Sequence, residues 1–557
     1  MGKEITYSDL PTECLLRILS FLALPEIAVL LRTSKLWNLI ITVNEQLLYH
    51  RIANDLSEIS APFGSLSGAL DGWLSREARE VRGWKEYCRL YVTTERRWRG
   101  KERPYSTRDA FGSIQQTRVG WVKIDIEKAL LVMTAAGDEE SDGDDRIVVT
   151  VHCLRDPTRK TLFCLNQTPS FARVELSRGF VVFSSERVVS DSFEVWRWAE
   201  DQATSQTLRQ PTREQSQKYE HAVLSAGIDE SPFRGELLPM SLLRQPGELR
   251  AYQLVYPTLC VGSHAGDQLW LWDVRTGRLF QTIHIEPSPY QQFSMRYVDI
   301  NESHVFVATH TVSVYSRTTS ECVFHLKESE LRRLADYVTP PVPTYGSGSA
   351  FQEYALLGYH DPDINVTPPY ILDIVVAVRA SPTGDNCVVV THWGYILLIS
   401  GFKPEISEHG HNYNPASIGI DLAYKKRVES LSVLSNIRIS LARTKGIVHR
   451  LAYDGRRILV FGSFGLALIN LDRKGGPANN FEISFSERTL AKLSPFPARS
   501  MHLVPPFAGE VDIYQGCTCL QMTADSCWMV WSPEGYESLV GDPQFNCMID
   551  FTRAEFD

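Results

Sequence analysis

YPTLCVGSHAGDQLWLWDVRTGRLFQTI (256–283) is the stretch on which the fold of this 557-residue chain turns. Its β-branched, aliphatic and aromatic runs are separated by turn signals at Ala265–Gly266–Asp267 and Thr276–Gly277. The pattern reads strand, turn, strand, turn, strand. Leu269 and Leu271 alternate with Trp270 and Trp272, so each pair faces one side of a sheet. The layout recurs at 301–326, 453–472 and 523–540, with a further copy at SDSFEVWRWAED (190–201).

From about Gln115 onward the whole chain has this texture, for example RIVVTVHCL (146–154), NCVVVTHWGYILLIS (386–400) and RRILVFGSFGLALINL (456–471). No helical pattern of useful length alternates with most of these runs, which disfavours a parallel α/β sheet and leaves an all-β domain. The unit at 256–283 resembles the WD-repeat family, in which a strand ends in Trp-Asp before a short Gly turn, here Trp272–Asp273 and Thr276–Gly277. The family's Gly-His signature and buried His–Asp network are missing from most copies. The resemblance implies a β-propeller. About 440 residues at roughly 40–45 per blade allow up to ten blades. Polar or Pro/Gly-rich inserts at 201–250, 328–370 and 403–445 take up some of that length, so seven or eight blades are expected.

Composition bounds the function. Hydrophobic content of 43% and charged content of 22% are those of a globular protein. A net charge of −9 argues against a general nucleic-acid or anionic-membrane binder. Eleven cysteines without framework spacing fit reduced thiols in the cytoplasm or nucleus. The apolar stretch Cys14–Leu31 is broken by Arg17, Pro25 and Glu26, so no membrane span is expected. MGKEIT matches the acylation pattern at Gly2 with Thr6 in its last place, but that pattern is short and a single acyl chain anchors only marginally.

Residues 1 to about 100 read as helical. Leu15, Ile18, Leu19 and Leu22 recur at i, i+3, i+4 and i+7, with Thr12 placed to cap that helix. Pro25 suits the first position of a second helix carrying Ile27, Leu30 and Leu31. Thr33 or Ser34 caps a third helix with Trp37, Ile40 and Ile41. Leu16, Phe21, Leu24, Ala28 and Val29 lie off these stripes, and three short helices cannot enclose so much apolar area by themselves. A partner is the expected cover.

Residues 7–53 resemble an F-box: Leu10–Pro11 and Glu13, then Leu15 and Ile18–Leu19, then Phe21–Leu22. Ser34–Lys35 and Trp37 match its Ser-x-x-Trp element, and Leu47–Leu48 follow with Tyr49 where Trp is usual. GWKEYCRLYVTTERRWRGK (83–101) is similar to the helical linker between F-box and propeller in proteins with both. The expected class is α+β multidomain: an F-box at 1–53, a helical linker at 54–112 and a WD-repeat-like propeller at 113–557.

The resemblance implies a substrate adaptor of a Skp–cullin–F-box ubiquitin ligase, not an enzyme, with no cofactor. Leu10, Pro11, Ile18, Leu19, Leu22, Leu31 and Trp37 are the expected contacts to a Skp-type protein, although the module's own core could use them as well. The propeller would hold a protein substrate, through residues the sequence does not identify. A non-degradative F-box scaffold and a propeller enzyme are the alternatives. Against the enzyme, the chain has no P-loop, no G-x-S-x-G and no H-E-x-x-H, and GSHAG (262–266) puts His264 where a nucleophile elbow needs Ser. His409 and His411 sit in a polar insert without further ligands, and Cys517 with Cys519 reads as two buried thiols. DEESDGDD (138–145), with Ser141, reads as a solvated loop between strands.

Overall fold

The computed structural model describes residues 10–57, 64–107, 119–136, 147–155, 161–168, 173–184, 192–204, 210–227, 232–247, 249–285, 295–309, 311–326, 375–382, 384, 386–392, 394–402, 437–444, 448–462, 465–471, 481–484, 490–494, 498–504, 516–532 and 545–554. Gly2, the acidic run 138–145, the insert 328–370 and the His409–His411 pair lie outside the described residues. The chain divides into two compact units: Met1–Tyr105 with Thr523–Ser526 and Asp550–Asp557, and Ser106–Met522 with Cys527–Ile549.

In the second unit the decisive stretch forms blade three: antiparallel strands Leu249–Val255, Thr258–Ser263, Gln268–Asp273 and Arg278–His284. The turns close where glycine is needed, at Gly266 (φ +76°) and Gly277 (φ +67°). Ser263 Oγ accepts the amides of Asp267 and Gln268 at 3.1 Å, and Asp273 accepts the Arg275 amide at 2.9 Å. The Leu/Trp alternation now has its cause. Leu269 and Leu271 pack with Val298, Ile300, Val305 and Val307 on one side. Trp270 and Trp272 pack with Phe180, Val182, Phe193 and Val195 on the other. Both faces of the sheet are core.

The first strands of the seven blades are Val119–Asp125, Val174–Ser177, Leu249–Val255, Tyr297–Ile300, Val375–Ala380, Val448–Tyr453 and Gly516–Met522. Each neighbours the next, and the seventh meets the first, which closes a ring around a central channel. The blade number is seven. The sequence copies at 301–326 and 453–472 each start on the second strand of their blades, as 256–283 does. The seventh blade takes its outermost strand, Pro104–Thr107, from the N-terminal side of the chain, inside the stretch expected to be linker.

Two inserts turn out to hold structure. Within 201–250 lie the helix Arg213–Ala226 and the strand Leu237–Arg244, the outer strand of blade two. The helix start was legible: Thr212 Oγ1 accepts the Gln215 amide and Gln215 Oε1 the Thr212 amide, both at 3.1 Å, a capping box. The end of 403–445 supplies Arg438–Arg443, the fourth strand of blade five. A hairpin from blade six, Phe481–Ser484 and Leu490–Ser494, extends blade five by parallel pairing of Arg438 with Lys492.

The first unit contains α1 (Thr12–Leu19), α2 (Leu24–Thr33), α3 (Lys35–Val43), α4 (Glu45–Ser57), α5 (Leu66–Ala69), α6 (Arg76–Glu80) and α7 (Trp84–Trp98). Thr12 does not cap α1. Pro11 occupies the cap in an extended conformation, and its carbonyl accepts from Cys14 and Leu15 at 3.0 and 3.2 Å. Pro25 is the second residue of α2 rather than the first, while Glu26 Oε2 accepts the Ala23 amide at 2.7 Å. At α7 a Schellman closure forms around Gly100 (φ +69°): Gly100 donates to Arg97 O and Lys101 to Arg96 O, both at 2.9 Å.

A Cβ added at Gly262 would lie 1.9 Å from Sδ of the fully buried Met295. Gly262→Val is expected to destabilise the protein by about 3 kcal/mol in urea unfolding. Combining it with Met295→Ala should be less harmful than the sum of the two changes. Strict additivity would mean that this packing contact contributes nothing.

Candidate functional site

The helical unit is organised around one core. Leu15, Leu19, Ile27, Ile40 and Ile41 from α1–α3 meet Leu48, Tyr49, Ile52 and Ala53 of α4 and Tyr87 and Cys88 of α7. Cys88 Sγ donates to Tyr49 O at 3.4 Å, and burial pushes that thiol up to about 12. The Ser-x-x-Trp element has a local cause: Ser34 Oγ accepts the Trp37 amide at 3.2 Å, the N-cap of α3.

What this core leaves uncovered is apolar. Phe21 is 70% exposed, Val29 60%, Leu39 61%, Val43 73% and Leu47 64%, with Ile18 and Leu36 also exposed. Leu36, Leu39, Val43 and Leu47 succeed one another at helical spacing from α3 into α4, forming a stripe on the side away from Ile41. The guanidinium groups of Arg17 and Arg51 lie 5.1 and 6.0 Å from the Phe21 ring and give it a cationic rim. Of the expected contact residues, Pro11 and Ile18 are exposed; Leu10, Leu22, Leu31 and Trp37 are half-buried. Leu19 is fully buried and supports the surface from beneath. The stripe on α3 and α4 was not singled out in the sequence, although its i, i+3, i+7 spacing was there to be read.

The channel of the second unit holds a different cluster, none of which the sequence marked. The Glu175 carboxylate, fully buried, meets Lys123 Nζ at 2.9 Å and Arg173 Nη2 at 2.6 Å, and accepts from Gln253 Nε2 at 3.1 Å. Gln253 Oε1 accepts from both Arg173 and Arg379 at 3.0 Å, and Arg379 lies 3.8 Å from Asp299. Trp121, Tyr252 and Tyr297 surround the Arg173 guanidinium at 5.2–5.4 Å. Burial alone would raise Glu175; Lys123 and Arg173 outweigh it and hold the carboxyl below its ordinary value. Asp299 goes the other way, because its burial is only partly offset by Arg379. These groups come from the first five blades and satisfy one another. They tie the ring together.

Other sequence candidates resolve simply. Cys517 and Cys519 are both buried, beside a bulge in their strand, and burial pushes the Cys517 thiol up to about 12. His264 is exposed in the turn before Gly266. Among the described residues no group of three or more His, Cys, Asp or Glu is arranged to hold a metal ion, and no helix is long and apolar enough to cross a membrane.

Comparison with known proteins bears on the helical unit first. Residues 7–55 match the F-box-like family. No curated protein matches the chain. Among solved structures, the beta-propeller domain of Cps50 (Swd1) from Myceliophteria thermophila aligns at a TM-score of 0.38 and 10% identity, over 77% of this chain and 96% of that one. The chain thus carries an F-box-like segment ahead of a seven-bladed β-propeller, a make-up that supports an adaptor role of the F-box kind in general.

Glu175→Gln leaves Lys123 and Arg173 buried beside a neutral amide and is expected to cost about 3–5 kcal/mol in denaturant unfolding. Because the folded carboxyl titrates below its unfolded value, its contribution is present above the ordinary carboxylate range and is lost as pH falls through the folded value. Ser34→Ala should cost about 1 kcal/mol, and Ser34→Asp should restore it. An unchanged midpoint in Glu175→Gln or in Ser34→Ala would refute the corresponding assignment.

Proposed function

We propose that the protein is a substrate-recognition adaptor of a Skp–cullin–F-box ubiquitin ligase, in the cytoplasm or nucleus. The α1–α4 surface binds a Skp-type protein and the propeller binds a protein substrate. The observation that carries this reading is the exposed apolar stripe Leu36, Leu39, Val43 and Leu47, with Phe21 and Val29, on a segment that matches the F-box-like family. Side chains of this size each gain about 1.5–3 kcal/mol when buried, so a partner covering several of them binds firmly.

The chain's role in the reaction is positional, not enzymatic. An adaptor raises the effective concentration of substrate lysines near a charged ubiquitin-conjugating enzyme, and forms no covalent bond itself. Rigid elements suit that task better than loops. The helical unit provides them: its core runs unbroken from α1 to α7.

Leu39→Glu with Val43→Glu should weaken binding to a purified Skp-type protein at least a hundredfold while leaving the thermal unfolding of the full chain unchanged. Leu10→Ala with Pro11→Ala should abolish co-purification in the same assay. Retention of binding by the doubly substituted Leu39/Val43 protein would remove the surface assignment. Proteomics under ligase inhibition then separates delivery from scaffolding: bound partners accumulate in the first case and hold steady in the second.

A further inference from the structure

The first unit is completed by the last stretch of the chain. The Trp98 ring stacks on Phe551 with centroids 3.5 Å apart and planes 11° from parallel, and Trp98 Nε1 donates to Ala524 O at 3.1 Å. Arg97 Nη1 donates to Phe551 O and Thr552 O at 3.3 and 2.7 Å, its Nε lying 3.5 Å from Glu102. Asp525 Oδ2 accepts the amides of Leu74 and Ser75 at 2.8 and 2.7 Å. Arg553 lies 3.4 Å from Glu77 and over the Tyr105 ring. Residues 550–553 thereby grip α6, α7 and the turn 523–526.

Inside this grip the protons do not balance. Thr552 Oγ1 lies 2.6 Å from Asp550 Oδ1 and 3.2 Å from Glu77 Oε2, and the Thr552 amide also donates to Asp550 Oδ1 at 2.8 Å. A hydroxyl has one hydrogen, so with both carboxyls ionised it serves the buried Asp550 and leaves Glu77 to Arg553 and solvent. Asp550 and Thr552 are both only 6% exposed, so water replaces the missing donor poorly. One added proton completes the chain: Asp550 O–H donates to Thr552 Oγ1, and the Thr552 hydroxyl donates to Glu77.

We infer that the C-terminal segment is a clasp on the helical unit that tightens on proton uptake, with Asp550 taking the added proton and the Thr552 hydroxyl then turned to Glu77. Independently of the geometry, burial raises Asp550 to about 6, and the charges of Asp525 and Glu77 push in the same direction. A carboxyl whose folded value lies above its unfolded one binds more protons when folded, so the clasp strengthens as pH falls through about 6. Asp525 is raised by burial as well and adds to that direction. Arg97 and Arg553 are the cations that face this cluster.

The test is hydrogen exchange on the full chain at about pH 7.5 and about pH 5.5, with protection factors corrected for intrinsic exchange. Peptides covering 84–98 report the clasp, and peptides covering 258–273 serve as reference. Relative protection of 84–98 should rise about fourfold at the lower pH. In Asp550→Asn the titrating group is gone, so the acid-state protection should hold at both pH values. Glu77→Gln leaves Asp550 buried and removes one neighbouring charge, so it should keep a pH response that moves toward lower pH. A response in Asp550→Asn equal to that of the unsubstituted protein, or none in the unsubstituted protein, overturns the inference.

Discussion

A sheet with two apolar faces is satisfied only between two others. In blade three the leucines of one strand and the tryptophans interleaved with them are buried against different neighbours. The same holds at blade five: Val389 and Leu397 pack toward blade four, while Val388, Val390 and Ile396 pack toward blade six. A row of such sheets would leave an apolar face at each end. Closing the ring removes both ends, and the contact of the first blade's innermost strand with the seventh's does so.

Closure gathers the first strands at the axis, where polar side chains leave bulk water. The Glu175 cluster shows the consequence. A buried carboxylate is tolerated because cations from the first, second and fifth blades and an amide from the third are arranged around it. Such networks add little net stability compared with apolar packing of the same volume, but they are sensitive to register. In this ring the cluster favours the arrangement in which these blades stand at the right height beside one another.

The helical unit follows the opposite logic. Its core is complete, running from Leu15 through Ile52 to Tyr87, and yet large apolar side chains remain in solvent on α1 to α4. A fold under selection for stability alone has no use for Leu39 and Val43 at 61% and 73% exposure. That exposure is what the proposed adaptor role rests on. The unit's integrity also depends on residues remote in sequence, since Asp525 and Phe551 supply partners to the start of α6 and the end of α7.

By itself the sequence determined whatever depends on neighbouring residues. The strands at 256–283, the glycines that close their turns, a cap at Thr33 or Ser34 and the order of helices before strands were all legible, because backbone preference and side-chain period act over a few residues. The N-terminal adaptor segment was legible for the same reason. Tertiary structure decided which blade each strand joins: Pro104–Thr107 completes the last blade, and a hairpin from blade six extends blade five. It also decided that Leu19 turns inward while Leu39 turns outward, and it assembled Glu175, Gln253 and Arg379 at the axis. Those outcomes rest on pairing, burial and charge compensation between segments tens to hundreds of residues apart, and no local pattern encodes them.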